Sequence, residues 1–180
     1  MKIIGLTYYF GEEELVVKCD SCLLNGNKPM FIPDHTADLR YVEVVIARIS
    51  RLGKHIEPRF ANRYYDGIAY GLDFVAYDRL TEAREQGKNW TEATCFDYSL
   101  AIGRVLDIDR VLPADRVLPA EQTSYADIID RAISKVSEQM TIRQGDWVYV
   151  ALDTEPKPVH KEEVLRKKID GEDVLYCKIK

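Results

Sequence analysis

Tyr41-Val42-Glu43-Val44-Val45-Ile46-Ala47-Arg48-Ile49 is the stretch on which the reading of this chain turns. It is β-branched and apolar, and turn residues Pro33-Asp34 and Asp38 precede it, so a buried strand is predicted. Side chains alternate faces along a strand, which puts Val42 and Val44 on one face and Glu43 on the other. A one-residue slip or bulge would turn Glu43 inward, yet would deliver only one carboxylate.

Working outward, Met1 to Thr7 is predicted as a first strand. Val16 to Leu24 is a second, turned at Asn25-Gly26 onto a partner at Pro29 to Ile32. Glu57 to Asp66 reads as a short helix with Pro58 in its first turn. Gly67 to Tyr77 is a buried strand. Asp78 to Gln86 is a helix with Asp78 as N-cap and Gly87 past its end. Phe96 to Leu106 is a further strand. Ser124 to Met140 is the clearest helix: Ile128, Ile129, Ala132, Ile133, Val136 and Met140 share a stripe, and Ser124 with Asp127 forms an acid variant of the capping box. Gly145-Asp146 leads into a strand at Trp147 to Leu152. Val164 to Ile169 and Val174 to Ile179 flank Asp170-Gly171 as a hairpin. A perfect tandem hexapeptide, Asp109 to Ala114 and Asp115 to Ala120, is too short for a solenoid and reads as a duplication in a surface connection. Many short strands and few helices give a β-rich α+β class in one domain spanning 1–180.

The 180 residues suffice for one domain with a sizeable core. Hydrophobic content of 46%, charged content of 31% and a net charge of −5 are those of a soluble globular protein with neither a nucleic-acid nor a membrane partner. No targeting segment or membrane-length apolar run is visible, so a cytoplasmic location and reduced cysteines are expected. Cys19-Asp20-Ser21-Cys22 has the spacing of a redox pair or half a zinc site. A zinc site needs further ligands, and Cys95 and Cys177 are single and distant in sequence. A thioredoxin-like pair should open a helix, whereas this one leads into a predicted hairpin turn. The motif is therefore read as structural.

Three further segments carry a resemblance: Arg51-Leu52-Gly53-Lys54-His55-Ile56-Glu57, Phe60-Ala61-Asn62-Arg63-Tyr64-Tyr65-Asp66 and Gly71-Leu72-Asp73-Phe74-Val75-Ala76. In this order, and with the strand at Tyr41, they resemble bacterial members of the fumarylacetoacetate hydrolase family. The resemblance covers most of the chain. It implies a mixed β-sandwich roll with a few short helices, a homodimer, and Mg- or Mn-assisted hydrolysis, decarboxylation or isomerisation of oxo acids. A hard divalent ion needs several oxygen ligands and polarises a substrate carbonyl.

Position by position, the resemblance implies that most of that apparatus is gone. The paired glutamates of the family's strand fall on Val42 and Val44, and the third metal ligand is kept as Asp73. The site arginine falls on Tyr77, the glutamine on Leu80, the lysine on Thr94, and the Gly-Thr-Pro loop on Ala151-Leu152-Asp153. The lid motif Asn-Tyr-x-x-His is Tyr8-Tyr9-Phe10-Gly11-Glu12, without histidine and followed by a shortened segment. His55 reads as structural, and Glu12 to Glu14 as a solvated run in which Glu14 is the one stand-in for a lid acid. These substitutions lead to a degenerate, pseudoenzyme-like chain with Asp73 as a vestigial metal ligand and no resident cofactor. The alternatives are an active oxo-acid enzyme with a site rebuilt from Asp73, Glu43 and Asp153 and using Mg or Mn, and a structural partner of an intact paralogue.

Overall fold

A computed structural model gives the fold, and residues 1–106 and 124–180 are described. The tandem hexapeptide lies outside the described residues. The centre is a long antiparallel pair, β4 (Leu39–Ile49) against β5 (Tyr65–Ala76). Both were read from their apolar runs, and both are buried over most of their length. Around them an eight-stranded mixed sheet runs β2 (Glu14–Lys18), β1 (Ile3–Thr7), β7 (Trp147–Ala151), β4, β5, β6 (Leu100–Ile102) and β3 (Leu23–Leu24), with β8 (Lys157–Pro158) also on β4. The β1–β7 and β3–β6 pairs are parallel and the others antiparallel.

β2 and β3 occupy opposite ends of this strand order, yet only Cys19 to Cys22 separate them in the chain. Four residues cannot span an open sheet, since each covers at most about 3.6 Å. The sheet must therefore curl until its two ends meet, and that requirement produces the roll.

The two faces of β4 sort the core. Val45, Ala47 and Ile49 pack with Ile68, Tyr70, Leu72 and Phe74 under helix α3 (Tyr125–Gln139) and the hairpin of β9 (Val164–Ile169) and β10 (Glu172–Lys178). Ile129, Ala132, Ile133 and Val136 of the expected stripe are fully buried there, and the Ser124–Asp127 capping box forms reciprocally. The opposite face gathers Val42, Val44, Ile46, Ala69 and Tyr149 under α1 (Tyr77–Glu85) and α2 (Thr91–Thr94).

Several expectations are corrected. The second strand is not continuous to Leu24. Its chain breaks at a 3₁₀ turn over Asp20–Cys22, after which β3 pairs in parallel with β6. Met30, expected to return onto that strand, bridges Ile179 instead, because the Gly26 turn redirects the chain rather than folding it back. The helix expected from Glu57 is a 3₁₀ segment, Pro58–Arg63. Asp78 is not an N-cap: it lies inside α1 and accepts from Thr36 Oγ1 at 2.5 Å and the Ala37 N–H at 3.0 Å. The strand expected over Phe96 to Leu106 is confined to β6, with Leu106 bridging Ile68. Among the described residues no helix is long and apolar enough to cross a membrane.

Asp146 fixes where β7 begins. Its carboxylate accepts from the Lys2 N–H at 2.8 Å, Lys2 Nζ at 2.5 Å and the Arg143 N–H at 2.9 Å. Burial alone would raise its pKa, but these donors outweigh burial and hold it below the usual carboxylate value. A depressed native pKa contributes stability that is present above pH 4 and lost as the pH falls. Asp146→Asn should therefore cost about 1 to 3 kcal/mol at neutral pH. In urea unfolding at several pH values, the difference from wild type should shrink on the acid side.

Candidate functional site

β5 carries Asp73 directly opposite Val42 of β4, so both sit on the face where the resemblance places the family's metal ligands. Val42 and Val44 are buried within 1% of full exclusion, as their apolar character required. Asp73 is also fully buried, and the partners it has found are side chains. The Lys18 ammonium, at the end of β2, lies 2.9 Å from Asp73 Oδ1, with both side chains fully excluded from solvent. Oδ1 has no hydrogen-bond donor, so this contact is one of charge. Oδ2 accepts from Tyr9 Oη at 2.5 Å and from Tyr149 Oη at 3.1 Å.

The ammonium is satisfied as well. It donates to the Thr94 carbonyl and to Ser99 Oγ at 3.0 Å, in addition to facing Asp73. A lysine has three N–H donors, and three groups surround it. Position 94 is where the resemblance places the site lysine. The side chain there is threonine, and the positive charge arrives from β2 instead.

The tyrosines are placed by backbone packing. Gly5 of β1 pairs with Tyr149 of β7, and a Cβ on Gly5 would stand 2.0 Å from the Tyr149 ring. Glycine thus lets the ring cross its neighbour strand and reach Asp73. Tyr9 reaches it from the β1–β2 turn, which closes by a Gly11 N–H bond to the Tyr8 carbonyl at 2.9 Å. Burial first, then Asp73, pushes both phenols well above the ordinary value of 10.0, so both remain donors.

The other positions to which the resemblance assigns site residues hold packing side chains. Leu80 is fully buried in the same cluster, and Tyr77 packs on Phe10 and beneath the Arg40 guanidinium at 3.8 Å. Glu14 pairs with Arg84 at 3.3 Å, and burial raises its pKa. His55 is exposed, at the end of α3, where its N–H meets the Ser137 carbonyl. Glu43 and Asp153 do come together, on the opposite face of β4, and Lys157 and Lys167 neutralise them. The trio Asp73, Glu43 and Asp153 is therefore not assembled: the alternation of β4 and β5 holds Asp73 away from the other two.

A hard divalent ion does not fit these donors. One carboxylate is available, its Oδ2 is engaged by two phenols, and an ammonium already faces Oδ1. A dication at Asp73 would meet that ammonium at close range in a dry cavity, where like charges repel strongly.

A second cluster lies against the first. The Sγ atoms of Cys19 and Cys22 are 3.5 Å apart, Cys22 and Cys95 3.6 Å, and Cys95 and Cys19 3.8 Å. This corrects the reading of Cys-x-x-Cys as an isolated pair, because curling of the sheet brings Cys95, at the end of α2, onto it. Hydrogen bonds, first from Ser21, lower the Cys19 thiol to about 7, and burial raises Cys22 to about 12.

The architecture defines a class: a mixed β-roll of the fumarylacetoacetate hydrolase type. Pseudomonas aeruginosa fumarylpyruvate hydrolase, in complex with Mn2+ and pyruvate, superposes with a TM-score of 0.80 at 19% identity over 99% of this chain and 88% of its own. Mycobacterium marinum 2-hydroxyhepta-2,4-diene-1,7-dioate isomerase gives 0.72 at 18% identity, over 99% and 73%. These likenesses establish the fold. In sequence, the mitochondrial oxaloacetate tautomerase FAHD1 of Mus musculus is 23% identical over 94% of this chain and 81% of its own length. No family model matches. Together with the ordered motifs, the fold and this relative make the chain similar, at a distance, to the fumarylacetoacetate hydrolase family.

The buried pair yields a mutational cycle. Lys18→Met or Asp73→Asn alone leaves an uncompensated charge and should cost about 3 to 5 kcal/mol. The double variant should recover most of that loss, as measured by urea midpoints; additive losses would mean that the two charges are uncoupled. The raised phenol pKa values add an alkaline limb. The stability held by neutral Tyr9 and Tyr149 is complete below pH 10 and lost as the pH rises past it, because the unfolded phenols ionise first. Tyr9→Phe/Tyr149→Phe should make that decline shallower.

Proposed function

We propose that this chain is a degenerate family member whose metal-dependent chemistry has given way to a buried ion pair, leaving a ligand-binding, regulatory or subunit-pairing role. One observation carries the reading: the Lys18 ammonium stands against the one retained acid, Asp73, while it donates to the Thr94 carbonyl and Ser99 Oγ. The similar fumarylpyruvate hydrolase of Pseudomonas aeruginosa is in complex with Mn2+ and pyruvate. On this reading a fixed monocation and two valines stand where the resemblance puts the metal's ligands.

The consequences for catalysis follow from magnitudes. Without a metal, carbonyl polarisation worth several kcal/mol is lost. Without a positioned acid or base, rate falls by a further factor of about 10² to 10⁴. Tyr9 and Tyr149 are donors committed to Asp73, and the tight turn at Tyr8 to Gly11 replaces a covering segment that would exclude water. The working form on this reading is a homodimer, or a pair with an intact paralogue, in the cytoplasm.

The test is turnover of oxaloacetate and acylpyruvates by the purified chain with Mg2+ or Mn2+, where none is expected. Val42→Glu/Val44→Glu should take up no Mn2+ while Lys18 is present. Adding Lys18→Ala should allow uptake without restoring turnover. Wild-type turnover that Mg2+ or Mn2+ stimulates and Asp73→Asn abolishes would overturn the proposal and favour a rebuilt-site enzyme. Light scattering at micromolar concentration checks the pairing, and a monomer would remove it.

A further inference from the structure

We infer that Cys19, Cys22 and Cys95 form a tris-thiolate site for a thiophilic closed-shell cation, Zn2+ being the ion tested, and that it staples the seam of the roll. This stands apart from the reading of Asp73 and would survive its failure.

Geometry carries the inference. Around tetrahedral zinc with Zn–S near 2.3 Å, neighbouring sulfurs stand about 3.8 Å apart. The three separations here are 3.5, 3.6 and 3.8 Å, so the triangle is nearly equilateral and of the required size. A disulfide would need only two sulfurs, at about 2.05 Å, and gives no reason for a third at equal distance. A shared cation does.

The backbone holds the three sulfurs in place before any ion binds. Cys19 caps the 3₁₀ turn and its carbonyl accepts the Cys22 N–H at 3.2 Å. The Cys95 N–H is tied to the Thr91 carbonyl at 2.7 Å, and the Tyr98 N–H to the Ser21 carbonyl at 3.1 Å, which links the two segments. The site also has access and shelter: Cys19 is exposed, Cys95 half-buried and Cys22 buried.

The charge balance is explicit. Three thiols release three protons to solvent as one Zn2+ binds, leaving a net charge of −1 beside the Lys18 ammonium. No electron transfer is involved. The fourth tetrahedral position is left to water or an incoming thiolate. The residues tied together are Cys19 and Cys22 on the link between the two ends of the sheet, and Cys95 next to Thr94, whose carbonyl holds Lys18.

The experiment titrates the reduced, metal-free full chain with Co2+ and then Zn2+. The expected result is one Co2+ per chain, with thiolate-to-cobalt charge-transfer bands and tetrahedral d–d bands, displaced by Zn2+. Zn2+ should also raise the melting temperature. Cys19→Ser, at an exposed position that tolerates change, and Cys95→Ser should each weaken Co2+ binding at least tenfold. Cys177→Ser, whose thiol lies outside the triangle, should leave binding unchanged. A reduced wild-type chain that gives no charge-transfer band overturns the proposal. So does a band unchanged in Cys95→Ser, or a chain that takes up no metal and only oxidises to a Cys19–Cys22 disulfide.

Discussion

A lysine ammonium removed from water has to find oxygen around it, and in this chain the search for those oxygens organises the roll. Lys18 lies on β2, at one end of the strand order. Its partners are Asp73 on β5, Thr94 at the end of α2 and Ser99 just before β6, toward the other end. At 2.9 Å and an effective dielectric near 20, the Lys18–Asp73 attraction is about 6 kcal/mol, while each buried ion gives up several kcal/mol of hydration. The two terms nearly cancel. The pair therefore adds little net stability while making any arrangement that separates its members costly, and the closed roll is the arrangement that keeps them together.

The same balance accounts for the pattern of substitutions. Clustered carboxylates in a dry cavity require a dication. Two of the three positions that the resemblance assigns to such acids are now valine, and the third is matched by one ammonium. A single carboxylate opposite a single ammonium is neutral. A carboxylate alone, or an ammonium alone, would not be. Val42 and Val44 leave the face apolar, and Lys18 and Asp73 are the two members that are not tolerable without each other. Tyr9 and Tyr149 complete the set by hydrogen-bonding the oxygen that the ammonium leaves free.

Much of the fold was legible because burial leaves a periodic trace. β4, β5, α3 and the β9–β10 hairpin announce themselves by runs, stripes and turn residues. Val42 and Val44 were placed on their face by alternation alone. Lys18 carries a signal of its own: it shares strand parity with buried Val16, and a lysine at an inward position of an apolar strand must have a partner. Tyr149 had another in Gly5, a strand glycine that marks a close approach. Cys95 had none. Its nearness to Cys19 and Cys22 arises only when the ends of the sheet meet, a long-range event that no local pattern encodes. The expected hairpin at Asn25-Gly26 failed for the same reason, because β3 and Met30 pair with segments distant in sequence.

The seam where the roll closes is built in two adjacent rungs. Lys18 and Cys19 are consecutive on one side, and Thr94 and Cys95 on the other. The ammonium meets the Thr94 carbonyl, and the next residue along on each side brings sulfur to sulfur at 3.8 Å. Neighbouring rungs are joined by a single peptide unit on each side, and the Cys95 N–H is tied to the Thr91 carbonyl and the Cys19 carbonyl to the Cys22 N–H. Whatever tightens the thiol rung therefore restrains the ammonium beside Asp73, and whatever loosens it exposes a buried charge to water. The distinctive chemistry of this chain, oxygen around nitrogen on one rung and sulfur against sulfur on the next, is concentrated at the one place where a curled sheet must be held shut.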